Sequence, residues 1–138
     1  MSYMVNASLA MMSKGEKYQE VIRDAVAVLD GEPDVTARMA TTVSLLAQAF
    51  DKWFWTGFYM VDAHKKAQGI DELVVGPYMG TLGCLRIRFG RGVCGAAAAA
   101  RTSQVVPDVH AFAGHIACDS RSNSEIVVPV FDAAGELI

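Results

Sequence analysis

The chain is poor in the residues that build metal centres and disulfide frameworks, with three cysteines and three histidines in 138 residues. An odd cysteine count without tight spacing argues against a secreted disulfide scaffold and fits a reducing, cytoplasmic setting, where thiols stay free to react. Proline is scarce at four, and no repeat, low-complexity tract or linker interrupts the sequence. Long apolar runs are missing too: charge-free stretches such as MATTVSLLAQAF fall short of the roughly 20 residues a membrane-spanning helix requires. Basic residues are not in excess, at 12 against 15 acidic ones for a net charge of -3. They are also scattered, so no nucleic-acid footprint is present. Arg86, Arg88 and Arg91 form the one basic cluster, which reads as a solvated strand face. The N-terminal MSYMVNASLAMMSK has no early basic region, so no signal peptide is expected.

What is abundant is apolar surface. Hydrophobic residues make up 52% of the chain and charged residues 20%, enough to leave material for a pocket or a dimer interface after a core is filled. The length predicts one domain by the prior of roughly 100 to 200 residues each. Within it, 1–13 reads as an arm, 14–50 as two leading helices and 53–138 as a sheet with its loops.

Ser13 with Glu16 forms a capping box, and Tyr18, Val21, Ile22, Ala25 and Leu29 then recur at helical spacing until Gly31 and Pro33. Asp34 caps a second helix with Val35, Met39, Val43, Leu46 and Phe50 on one face. From Trp53 the texture changes to short aromatic and β-branched runs, WFWTGFYMV, ELVV, CLRIR, SQVV and IVVPVF. Turn signals at 62–69, 77–80 and 132–135 separate them, which predicts a mostly antiparallel sheet and an α+β domain. GAAAAAR is the single helical segment expected among the strands, and GELI at 135–138 reads as the start of another strand.

Four patterns carry possible chemistry. Gly90, Gly92 and Gly95 spell GxGxxG between a strand and a helix, but the helix is short and the strand carries Arg86 and Arg88. A dinucleotide site needs a buried parallel strand, so a tight loop whose amides and helix start could meet an anion is the better reading. His110, His115, Cys118 and Asp119 could ligate a metal, yet their spacing matches no zinc pattern, and no metal is expected. Cys84, Cys94 and Cys118 are the stronger signal: at least two lie outside regular core positions, and a second thiol within reach could resolve a sulfenic acid. Packing as small apolar residues remains open beside that role. In the aromatic strand, alternation puts Trp53, Trp55, Gly57 and Tyr59 on one face and Phe54, Thr56 and Phe58 on the other. One face would fill the core while the other walls a pocket or interface.

GFYM, ELVVGPYMG, CLRIRFGRGVCG, VVPDVHAFAGHIACDSRSNSEIVVPVF and GELI together resemble the free methionine-(R)-sulfoxide reductases, a catalytic branch of the GAF domains. The likeness runs from about 36 to 138, with GRGVCG and GHIACD specific to that branch. It implies a six-stranded antiparallel GAF sheet flanked by helices. It also implies Cys118 as the thiol that attacks the sulfoxide, Cys84 as the resolving thiol and Cys94 as a further reactive or relay thiol. Glu125 is implied for the substrate ammonium, loop amides near Cys118 for the carboxylate, and Trp55 with Tyr59 for the sulfur and methyl end. Proton delivery to the sulfoxide oxygen falls to an acid such as Asp119 or Glu125. Thioredoxin as external reductant, no bound cofactor and a homodimer follow from the same likeness. GAF domains at large bind small ligands without this thiol set, which leaves a non-catalytic ligand-binding or signalling module as the alternative. The family continues past GELI into a strand, GVLDIDS, whose aspartates help hold the substrate, and a closing helix; relatives also have a tighter hairpin where this chain has DAHKKAQGID.

Overall fold

Ser13 and Glu16 close the first helix as the sequence predicts. The Glu16 amide donates to Ser13 Oγ at 3.3 Å and the Ser13 amide to Glu16 Oε2 at 2.9 Å, satisfying two amides that the first turn leaves without helical partners. Helix α1 spans Lys14–Leu29. Helix α2, Val35–Ala49, starts on Asp34, whose carboxylate accepts from the Ala37 amide at 2.7 Å. The computed structural model describes residues 11–114 and 121–138. They fall into two groups, one of 11–58 with 77–80 and the other of the remaining described residues.

In the first group α1 packs on α2. Val21, Ala49 and Phe50 are buried together with Met12, Leu45 and Leu46 against them. Phe50 stacks on Trp53 with centroids 4.4 Å apart, and Tyr18 leans on Phe50 at 4.7 Å. The expected faces are narrower than the apolar spacing suggests. On α1 only Val21 is fully buried and Ile22 is 54% exposed, while Val35 on α2 is exposed and Met39 and Val43 are buried.

Strands β1 (Trp55–Val61), β2 (Glu72–Gly80) and β3 (Arg86–Arg88) form one sheet in that order. β2 runs on through GPYMG, which the sequence marks as a turn. The registered β2–β3 pairs are Glu72 with Arg88, Leu73 with Ile87 and Val74 with Arg86, and the Val75 amide adds a bond to the Leu85 carbonyl. Pro77 lies beyond these pairs, so its missing N–H does not interrupt the β2–β3 ladder. Cys84 sits just ahead of β3 in a loop and does not open the strand.

In the second group Leu73 and Ile87, paired across the sheet, are buried with Ala98 of α4 (Gly92–Ala100). Strands β4 (Gln104–Val106) and β5 (Glu125–Val127) pair antiparallel in a second sheet, with Val106 opposite Glu125. Val93, Val106 and Val109 make a second apolar cluster under them. The segment DAHKKAQG holds a further short helix, α3 (Ala63–Ala67), so GAAAAAR is not the single helix among the strands. Five residues are too few to hold a helix alone. Asp62 caps this one through the Lys65 amide at 3.0 Å and is itself paired with Arg86. Arg86 holds the Asp62 carboxyl below the usual carboxylate range, with the Lys65 amide adding to the effect. Arg86 and Arg88 both reach Glu72, so the basic strand face is solvated and neutralised. At the far end, Asp132 organises the turn by accepting from the amides of Ala134 and Glu136, both at 2.9 Å. GELI then pairs as a strand should: Phe131 bridges Leu137, Ile138 donates to the Val130 carbonyl, and the Val61 amide donates to the Ile138 carbonyl at 2.8 Å.

The loop GRGVCG explains its glycines without a dinucleotide. A Cβ at Gly95 would lie 2.4 Å from the Arg88 carbonyl oxygen, so a side chain there would push α4 off β3. The Gly90 amide is spent on the Gly95 carbonyl at 2.8 Å, and β3 is antiparallel to its partner. Gly95→Ala is therefore expected to destabilise the fold by about 1–3 kcal/mol, read as a lower urea midpoint at unchanged slope.

Candidate active site

Cys84 is placed by contacts on two sides. The Tyr59 hydroxyl donates to the Cys84 carbonyl at 2.8 Å, and the next residue's carbonyl accepts from Val75. Cys84, Cys94 and Tyr59 all pack on the Leu73, Ile87 and Ala98 cluster, so three of the sequence-predicted residues share one region. Cys84 is engaged in a disulfide, whereas Cys94 carries a free thiol.

Cys94 lies in the first turn of α4, a helix that packs on β4 and β5. Burial pushes its thiol up to about 12, and the nearby negative charge of Glu125 adds to the shift. A helix start would favour a thiolate, yet here desolvation wins because the surrounding side chains are apolar. Folding thus favours the protonated form. The stabilisation is complete below the thiol's unfolded value and is lost as pH rises toward about 12. At pH 8 Cys94 would stay almost wholly protonated. In the native protein Cys94 should therefore resist iodoacetamide at pH 8 and react readily in urea, with peptide mass mapping as the readout. Rapid native alkylation of Cys94 would contradict the burial argument.

Trp55 stacks on Tyr78 with centroids 5.3 Å apart and planes 20° from parallel. Their strands approach closely because Gly57 has no side chain: a Cβ there would stand 2.3 Å from Tyr78 Cβ. Tyr78 is missing from the sequence-predicted set because GPYMG reads as a turn, with Gly76 and Pro77 interrupting the apolar run of ELVV. Trp55 belongs to the first group of residues, and Tyr59, Cys84, Cys94 and Glu125 to the second. Cys118, Asp119 and His115 lie outside the described residues. His110 caps back on Asp108 through its amide at 2.9 Å, and among the described residues no cluster of three His, Cys, Asp or Glu could hold a metal. No described helix is long and apolar enough to cross a membrane.

No model of a known protein family matches the chain. A solved GAF domain superposes on all of it with a TM-score of 0.86 at 31% identity, covering 80% of that structure. The free methionine-R-sulfoxide reductase of Neisseria meningitidis, solved with its substrate, superposes with a TM-score of 0.82 at 47% identity over 91% of this chain and 71% of that one. The architecture is thus that of a GAF domain. In sequence, the chain is 44% identical to the free methionine-R-sulfoxide reductase of Escherichia coli over 119 residues, 86% of this chain and 68% of that protein. It belongs to the free methionine-R-sulfoxide reductase family, a group of oxidoreductases on the GAF scaffold.

Proposed function

We propose that the chain reduces free L-methionine-(R)-S-oxide to methionine. The Cys118 thiolate attacks the sulfoxide sulfur while Asp119 or Glu125 supplies a proton to the oxygen, and loss of methionine leaves a sulfenic acid on Cys118. The Cys84 thiol then attacks that sulfur, releases water and closes a Cys84–Cys118 disulfide. Thioredoxin, a dithiol, returns the two electrons and two protons, so no bound cofactor is needed. Glu125 holds the ammonium, loop amides near Cys118 the carboxylate, and Trp55 with Tyr59 the thioether end. Both charged termini must be met, which shuts out methionine sulfoxide within a peptide. The enzyme would work as a homodimer in the cytoplasm.

The observation that supports this sequence of steps most directly is the unequal state of the thiols, with Cys84 in a disulfide and Cys94 free, its burial disfavouring the thiolate. That division suits Cys84 to resolution and leaves Cys94 a packing role or a protonated relay. The test is consumption of free methionine-R-sulfoxide with dithiothreitol or thioredoxin, with the S epimer and a peptide sulfoxide as controls. R-selective loss of the free amino acid alone is expected. Binding without turnover would overturn the reading in favour of a ligand-sensing GAF module.

A further inference from the structure

Leu82 and Leu85, on either side of the disulfide-bonded Cys84, are 81% and 72% exposed. Single exposed leucines are ordinary, but these two bracket one of the two sulfurs that a reductant can attack. The backbone presenting them is fixed, by Tyr59 on the Cys84 carbonyl and Val75 on the Leu85 carbonyl. Docking here would thus order little of this chain, which favours affinity. Arg86, the next residue, is already engaged by Asp62 and Glu72, so an apolar partner need not bury an unpaired charge there. We propose that Leu82 and Leu85 form the docking surface for the protein dithiol that reduces this disulfide, a partner with an uncharged apolar rim around its attacking thiol. The inference deepens the proposed reductase activity and rests on it.

The exchange runs through Cys84. The partner's thiolate attacks Cys84 Sγ, forms an intermolecular disulfide and expels the sulfur formerly bonded to Cys84 as a thiolate, which takes up a proton. The partner's second thiol then attacks its own sulfur in that mixed disulfide, releases Cys84 as a thiolate and leaves as the oxidised partner. Two electrons and two protons pass to the chain.

The test compares Leu82→Ser/Leu85→Ser with the unmodified chain, driven either by thioredoxin or by dithiothreitol. The expected result is a fall of about tenfold or more in kcat/KM for thioredoxin, with dithiothreitol-driven turnover within about twofold of the unmodified chain. An unchanged thioredoxin dependence, or an equal loss with both reductants, would overturn the docking surface. A second arm uses the unmodified oxidised chain and thioredoxin whose second active-site cysteine is serine, which traps the mixed disulfide. Mass mapping should place the link on Cys84, and a link to Cys118 would refute the proposal. If the unmodified chain turned over nothing with dithiothreitol, the activity itself would fail, and the trap would still decide the docking site.

Discussion

Cys118→Ser is expected to abolish reduction of free methionine-R-sulfoxide, lowering kcat/KM on the order of 10³-fold or more. A serine hydroxyl is a far weaker nucleophile toward sulfur than a thiolate, and it cannot carry the oxidation as a sulfenic acid. The two remaining cysteines do not offer a replacement. Cys94 is held protonated by its apolar surroundings and by the charge of Glu125, and Cys84 is itself engaged in a disulfide. Substrate affinity should survive, because the proposed ammonium and carboxylate partners are untouched. Turnover by the serine variant within tenfold of the unmodified chain would move the nucleophile elsewhere.

Cys84→Ser should behave differently. It should release about one methionine per chain in a single burst and then stall with thioredoxin, because the sulfenic acid on Cys118 has no resolving thiol. A rapid-quench assay would show the burst, and dimedone labelling would mark the sulfenic acid left behind. Whether Cys94 can take over is decided by its ionisation. Resolution needs a nucleophilic thiolate, and a thiol pushed up to about 12 offers almost none near neutrality. Normal steady-state recycling by Cys84→Ser would reassign resolution to Cys94.

These expectations draw unequally on the sequence. The helix starts were plain in it, since Ser13 with Glu16 and Asp34 act through bonds made within one turn. Several strands were visible through β-branched runs, and the candidate thiols through their odd placement. Less visible was whatever depends on distant partners. Pro77 reads as a breaker unless β3 is known to end its pairing before that residue. The helix in DAHKKAQG depends on Asp62, which both caps it and meets Arg86 from another strand. Apolar spacing likewise overstated the buried faces of α1 and α2, because Ile22 and Val35 have the right periodicity but stay exposed. The ionisation of Cys94 is the plainest case. GRGVCG reads as an accessible glycine loop, and only the packing of α4 makes its cysteine reluctant to ionise.

The run of alanines that follows Cys94 sets how the neighbourhood answers a charge. Residues 96–100 of α4 are all alanine, side chains with no rotamer to turn and no dipole to swing toward an anion. A polar side chain beside a buried thiol can reorient within nanoseconds and raise the local dielectric response. The alanines of this helix thus offer Cys94 no electrostatic relaxation of their own, and the nearby charge of Glu125 has the wrong sign. The helix therefore acts as a stiff dielectric backing, and a polar replacement such as Ala98→Ser, at a buried position, would soften it and bring the Cys94 thiol closer to ordinary reactivity.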